Sequence, residues 1–171
     1  MYLTRALTLY GPGGIRKTRL ALRVLASLAT EFPKKVWFVE LADLQQPDLV
    51  ISRVAAALGV SEEPGRPLLE TLAEVLRRRR LLLALDNCEH LIDTCAEVSR
   101  QLLASSPGLR LLITSREPLR VAAETIWLAA AAAALRSRPG CRRCRPPGPK
   151  PALLPRAISV RPLSPGSGRR D

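Results

Sequence analysis

The residues best suited to chemistry lie near the start of the chain, in "LTLYGPGGIRKTRLAL" at residues 7–22. A short apolar segment leads into a glycine-rich turn, and Lys17 and Thr18 then open an amphipathic segment. In such a turn, successive backbone N–H groups and the N-terminus of the next helix can converge on phosphate oxygens. The lysine reaches the β- and γ-phosphates, and the hydroxyl that follows it reaches Mg²⁺. The stretch therefore predicts a phosphate-binding loop.

The predicted loop has eight residues, all of which we assign to phosphate binding: Gly11, Pro12, Gly13, Gly14, Ile15, Arg16, Lys17 and Thr18. Arg16 is a departure, because the pattern G-x-x-x-x-G-K-[ST] requires a second glycine there. The backbone at this position passes close to the phosphates and can need dihedral angles that a Cβ makes costly. We therefore expect Arg16 to impair the site, although its guanidinium could instead contact a phosphate. A glycine- and proline-rich turn that binds nothing is the remaining alternative.

A second candidate residue is Asp86 in "LLLALDNCEHL", residues 81–91, where it ends a continuous apolar run. An aspartate at the carboxyl end of a buried strand can hold Mg²⁺ through water, on the same sheet edge as a phosphate loop. Thr18 and Asp86 are therefore the predicted metal ligands. Without a phosphate loop elsewhere in the chain, we would instead interpret Asp86 as the cap of the helix that follows it.

A third candidate is Arg116 in "LLITSREPL", residues 111–119, just beyond a predicted strand. A guanidinium at this place could face a γ-phosphate, and Thr114 and Ser115 could assist it by hydrogen bonds. The alternative is a surface arginine in a loop that ends at Pro118. With the two motifs above, the candidate catalytic residues are Lys17, Asp86 and Arg116.

Apolar segments of strand type alternate with amphipathic segments of helix type. The predicted strands lie at residues 6–10, 36–41, 81–85, 109–114 and 126–128. The predicted helices run over residues 17–30, 47–58, from 67 to the arginines at 77–80, and from about 90 to 106. Strands that are apolar throughout and alternate with helices form parallel sheets that are covered on both faces. The fold class is therefore α/β, with a five-stranded parallel sheet in one domain at residues 1–128.

The net charge of +12 is concentrated at one end of the chain. Residues 129–171 hold ten Lys and Arg against one acidic residue, whereas residues 1–128 hold 17 against 14. This Pro/Arg/Ala-rich tail lacks periodicity and has too few large apolar residues to offset the entropy lost on ordering, which predicts disorder. Its abrupt start and GC-rich codon types make a frameshift one explanation. The four arginines at 77–80 suit a solvated helix C-terminus, with a nucleic-acid-binding patch as the alternative.

The cysteines and the first residues bear on the class of protein. Cys88 and Cys95 lie in helix-like sequence, and Cys141 and Cys144 form one C-R-R-C that lacks a second pair of zinc ligands. We therefore expect unreactive thiols without a metal or redox role. No apolar run approaches 18 residues and no signal peptide is recognisable, so we expect a cytoplasmic protein.

In this order, the three motifs closely resemble the ATPase module of STAND-type regulators related to the NB-ARC domain. The likeness is greatest to bacterial LuxR-type and SARP-type transcriptional regulators, and it covers about residues 5–128. It implies a P-loop NTPase fold that binds ATP or ADP with Mg²⁺ and acts as a switch for an output domain. It also implies that Asp86 is the acid on the Mg²⁺ side and that Arg116 is the family's sensor arginine.

The chain departs from such regulators in two further ways. Their helical bundle, winged helix, sensor repeats and DNA-binding domain do not fit in 171 residues, so we expect a module or fragment without its output domains. Asn87 replaces the glutamate that polarises water in many related ATPases, and Glu89 is only a candidate substitute. We therefore expect weak nucleotide binding and at most slow hydrolysis. The alternative is a non-catalytic remnant that acts as an interaction module or binds nucleic acid non-specifically through residues 136–145.

Overall fold

The computed structural model describes residues 4–33, 35–122 and 124–129. Its elements, in chain order, are β1 (Ala6–Tyr10), α1 (Lys17–Leu28), β2 (Val36–Glu40), α2 (Leu49–Leu58), α3 (Leu68–Arg77), β3 (Leu81–Asp86), α4 (Ile92–Ser105), β4 (Leu109–Ser115) and β5 (Glu124–Leu128). A single 3₁₀ turn, Cys88–His90, lies between β3 and α4. Beyond its first residue, the predicted tail at 129–171 lies outside the described residues, as do Cys141 and Cys144.

The five strands form one sheet in the order β2-β3-β4-β1-β5, and every neighbouring pair is parallel. The predicted α/β class and five-stranded parallel sheet are therefore confirmed. Because all the strands run in the same direction, the carboxyl ends of β1, β3 and β4 lie at one edge of the sheet. These are the ends that carry the three sequence motifs, so the topology brings the motifs together.

Successive side chains of a strand point to opposite faces, and the sheet consequently has a core on each side. On one face, Leu82 and Leu112 pack with Leu25 of α1. On the other face, Leu83 and Leu111 pack with residues of α2, α3 and α4. All six residues of β3 are buried, which explains its continuous apolar run. Helices thus cover both faces, as predicted.

Several helix and strand ends differ from the predicted ones by one or two residues. α1 ends at Leu28 instead of residue 30, and α4 begins at Ile92 instead of residue 90. The later start of α4 has a local cause, since Asn87 adopts a left-handed conformation (φ 67°) and directs residues 88–90 into the 3₁₀ turn. In β4, Ser115 extends the strand because it pairs in register with Tyr10 of β1.

The arginines at 77–80 are all exposed at the end of α3. Arg77 forms an ion pair with Glu74 (3.5 Å), and the guanidinium carbon of Arg80 lies 5.3 Å from the centre of the Phe32 ring. The first contact lies within α3 and the second is with the segment that follows α1, and both are consistent with the solvated helix end. None of the helices in the described ranges is long and apolar enough to cross a membrane.

Candidate functional site

The predicted phosphate loop connects β1 to α1, and its backbone turns through left-handed conformations. Gly11 has φ 146°, and a Cβ on this residue would lie only 2.6 Å from Cδ1 of Ile15. Gly14 has φ 81°, and a Cβ on this residue would have no neighbour within 4 Å. These dihedral angles are readily adopted by glycine and rarely by other residues. The glycines at both positions therefore permit the tight turn at the end of β1.

Arg16 occupies the residue before α1 with φ 62° and ψ 39°, a left-handed conformation. For a residue with a Cβ, such a conformation costs on the order of 1–3 kcal/mol. The structure therefore has the left-handed backbone for which a glycine is expected at this position. The Arg16 side chain is exposed and borders the cleft above the loop.

Lys17, the first residue of α1, folds back over the loop. Its Nζ donates hydrogen bonds to the carbonyl oxygens of Gly11 (2.8 Å) and Pro12 (3.1 Å). An ammonium group has three donors, so these two bonds leave one for another acceptor. The carbonyl oxygens of the loop thus hold the lysine ammonium group next to the loop.

Asp86 ends β3 and is only 3% exposed. The hydroxyl of Thr18 donates to this carboxylate, at 2.9 Å from Oδ2 and 3.1 Å from Oδ1. The hydroxyl of Thr114 donates to Oδ1 at 2.5 Å and accepts the backbone N–H of Asn87 at 3.0 Å. Within the described residues the carboxylate accepts no backbone N–H. The hydrogen bonds therefore do not support the helix-capping alternative for Asp86.

The oxygens around Asp86 suit a hard divalent cation. A buried carboxylate that faces only hydroxyls lacks the positive partner that a buried charge needs, and no described Lys, Arg or His lies within ion-pair distance of it. Within the described ranges, no group of three His, Cys, Asp or Glu side chains lies close enough together to hold a metal ion. Mg²⁺ fits such a site, because it keeps several waters and uses one or two protein ligands.

Arg116 follows β4, and its guanidinium lies over the phosphate loop. A Cβ on Gly13 would be 3.6 Å from Nη2 of Arg116. The Nε atom of Arg116 donates to Oε1 of Glu89 at 3.0 Å, so the two side chains form an ion pair. Sequence reasoning treated Glu89 only as a candidate for polarising water and did not predict this pair. No local signal could have revealed it, since the two residues are 27 positions apart.

Six of the predicted site residues line one cleft of about 270 Å³, namely Gly13, Gly14, Arg16, Lys17, Thr18 and Arg116. The other predicted loop residues, Gly11, Pro12 and Ile15, do not line it. Asn87, Glu89 and Thr114 complete its walls, and Asp86 lies behind Thr18 and Thr114. Thr114 contacts Asp86 rather than Arg116, while the Ser115 hydroxyl accepts the N–H of Glu117 at 3.3 Å.

The two described cysteines lie beside the site and contribute no surface to it. Cys88 and Cys95 are both buried and form no disulfide. A hydrogen bond with the Cys95 side chain and burial raise the pKa of the Cys88 thiol well above its ordinary value. A thiol with a raised pKa holds its proton and is a poor nucleophile. The environment of Cys88 is consistent with the predicted unreactive character of this thiol, and Cys95 is likewise buried.

Comparisons with known proteins show what this chain is similar to. A protein of Mycobacterium tuberculosis named as an HTH-type transcriptional regulator is 42% identical over 123 residues, which cover 72% of this chain and 14% of that protein. The regulatory protein AfsR of Streptomyces griseus is 32% identical over 114 residues, covering 62% of this chain and 11% of AfsR. The chain therefore spans only a small part of the length of these relatives.

A solved structure and a family model extend the comparison. A chain in the structure of Drosophila ORC bound to DNA superposes with a TM-score of 0.52 at 18% identity, over 73% of this chain and 37% of that chain. At this identity the likeness supports the fold alone. A family model described as an AAA domain matches residues 2–120. Since that match covers well over half of the chain, the protein belongs to the AAA-domain family of P-loop proteins.

Proposed function

We propose that this chain is the nucleotide-binding switch module of a larger transcriptional regulator, with ATP or ADP and Mg²⁺ as its ligands. The observation that carries the proposal is the convergence of Lys17, Thr18, Asp86 and Arg116 on one cleft at the edge of the sheet. These residues come from three motifs that are far apart in the sequence. A turn that merely joined β1 to α1 would not need them together.

Each part of the cleft suits one part of a nucleoside triphosphate. The backbone of residues 11–16 and the N-terminus of α1 would surround the phosphates, and Lys17 would supply a positive charge. Thr18 and Asp86 would hold Mg²⁺, which neutralises phosphate charge when bound. Arg116 would offer its Nη donors to the terminal phosphate, since its guanidinium already lies over Gly13.

The same residues argue for slow hydrolysis at most. Asn87 stands beside Asp86 and carries no charge to polarise a water molecule. Glu89 is the nearest alternative, and its Oε1 is engaged by Arg116. A module that holds nucleotide for a long time suits a switch better than a fast ATPase.

The regulatory role is supported by the relatives, which are named as regulators and are much longer than this chain. We propose that the output and sensor functions belong to parts of such proteins that this chain does not match. Under this proposal the chain is a STAND-type module related to NB-ARC, as in LuxR-type or SARP-type regulators, and it influences DNA only indirectly. A bacterial regulator of this kind would act in the cytoplasm.

Titration with fluorescent ATP and ADP, with and without Mg²⁺, tests the proposal. We expect Asp86→Ala to remove the Mg²⁺ dependence of binding while leaving the thermal stability unchanged or higher, because an uncompensated buried charge is lost. Asp48→Ala is the matched control, since Asp48 is exposed and makes no ion pair or side-chain hydrogen bond within the described residues. If the unmodified protein binds neither nucleotide, or Asp86→Ala binds as before, the proposal is wrong.

A further inference from the structure

Glu89 occupies an environment that the proposed function leaves unexplained. Its side chain is only 15% exposed, and Oε1 accepts the hydrogen bond from Nε of Arg116. The other carboxylate oxygen, Oε2, is buried without a hydrogen-bond partner in the described part of the chain. Burying a carboxylate in this way costs free energy, which a single ion pair offsets only in part.

The ion pair engages only one edge of the Arg116 guanidinium. An arginine has five N–H donors in a fixed plane, and the bond from Nε leaves the four donors on Nη1 and Nη2. Among the described residues these four donors have no acceptor, and Nη2 is the atom nearest to the Cβ position of Gly13. Glu89 therefore holds the guanidinium by one side while its other side faces the phosphate loop.

Such an arrangement reduces the entropy that Arg116 must lose on binding an anion. The side chain is 65% exposed, and a free arginine of this kind would sample many rotamers. A guanidinium that is already oriented binds a phosphate with less loss of conformational entropy. Under the proposed function, the inner phosphates would lie within the loop, so a terminal phosphate beyond the loop would gain most from this orientation.

We propose that Glu89 is a positioning residue that holds Arg116 over Gly13 and thereby sets the preference of the cleft for ATP over ADP. This inference rests on the proposed nucleotide-binding function. It also assigns Glu89 a role other than polarising water, since its charge is balanced by the arginine. Removal of Glu89 then weakens the binding of ATP selectively.

The test compares the affinities of fluorescent ATP and ADP, in the presence of Mg²⁺, for the full chain and its variants. We expect Glu89→Ala to weaken ATP binding about three- to tenfold, as expected for loss of one charge-assisted interaction, and to change ADP binding less than about twofold. Glu89→Gln should recover part of the ATP affinity, because its amide oxygen can still accept from Nε of Arg116. Glu97→Ala is the matched control, since Glu97 pairs with Arg100 on the exposed side of α4.

A double-mutant cycle with Arg116→Ala identifies the route by which Glu89 acts. We expect Arg116→Ala to remove the preference for ATP, and Glu89→Ala to have no further effect on that preference when Arg116 is already alanine.

Tighter ATP binding by Glu89→Ala would mean that the carboxylate only repels phosphate. Unchanged ATP binding with lower hydrolysis would mean that the carboxylate polarises water. Either result overturns the inference, as does failure of both Glu89→Ala and Glu89→Gln to fold. If the parent binds ADP and ATP equally well, the inference fails while the proposed function stands, and if it binds neither, both fail.

Discussion

At the scale of single residues, Arg16 is the side chain that we propose to limit nucleotide binding in this cleft. Its backbone has the left-handed conformation that glycine adopts without strain, yet it carries a Cβ and a long cation. A charge-assisted contact to phosphate could return roughly 1.5–3 kcal/mol. However, the side chain starts from the loop itself and borders the cleft. We therefore expect the guanidinium to compete with phosphate for space more readily than it turns back to contact a phosphate oxygen.

Arg16→Gly should therefore tighten ATP binding at least about tenfold, near 1.4 kcal/mol. Two effects contribute, because the glycine relieves the left-handed strain and opens the loop. The free energy of unfolding should also rise, by up to about 1 kcal/mol. Fluorescent-nucleotide titration and urea denaturation measure the two effects. A glycine variant that binds ATP no better than the parent would show that the arginine is harmless or is itself a ligand. Arg19→Ala is the matched control, because Arg19 is an exposed arginine one turn away. Arg19→Gly is unsuitable as a control, because a glycine at this position inside α1 would weaken the helix itself.

At the scale of elements, the central strands hold the site in place. β3 lies between β2 and β4, is buried along its whole length and ends at Asp86. Its pairing with β4 places Leu85 opposite Ile113, so the next residues, Asp86 and Thr114, also meet. A change in this register would separate the carboxylate from its hydroxyl partner. Packing of the strand therefore determines the geometry around the proposed Mg²⁺ ligand.

Leu83→Ala should destabilise the protein by about 2–5 kcal/mol, because it removes a fully buried leucine and leaves a cavity. The matched control is Leu49→Ala at the start of α2, where the leucine is 43% exposed, and its cost should be within about 1 kcal/mol. Urea denaturation followed by circular dichroism measures both. Equal costs for the two variants would contradict the assignment of β3 to the core.

At the scale of the whole molecule, the chain corresponds to a small part of its long relatives, and its charge is uneven. The AAA-domain match ends at residue 120, and ten of the 27 basic residues lie in 129–171. From composition alone, we propose that residues 1–128 form the compact unit and that the remainder does not join its core. Any binding of DNA through the tail would then be sequence-independent and weakened by salt.

Limited digestion with trypsin tests this division of the chain. Because a protease cleaves unfolded segments before folded ones, cuts after tail arginines such as Arg142 should precede cuts after Arg23 or Arg100. Mass spectrometry of the early fragments identifies the order. Equal protection of Arg142 and of the core arginines would contradict the proposed boundary.

Local pattern was sufficient for much of this structure. The strand segments, the order of helices and strands, the phosphate loop and the end of β3 at Asp86 all follow from residues close together in the chain, because strand and helix periodicity and turn chemistry are short-range effects. Even the strain at Arg16 could be anticipated from the glycine that the loop pattern requires. The ends of the elements were predicted less accurately, because the left-handed turn at Asn87 and the pairing of Ser115 with Tyr10 depend on neighbouring strands.

The contacts that complete the site required the tertiary structure. Thr114 reaches Asp86 across 28 positions of sequence, and Arg116 reaches Glu89 across 27. Both contacts depend on the register of β3 against β4 and on the path of the chain after each strand, and neither leaves a periodic signal. Long-range packing therefore decided which polar groups meet, and the sequence alone determined which groups were available to do so.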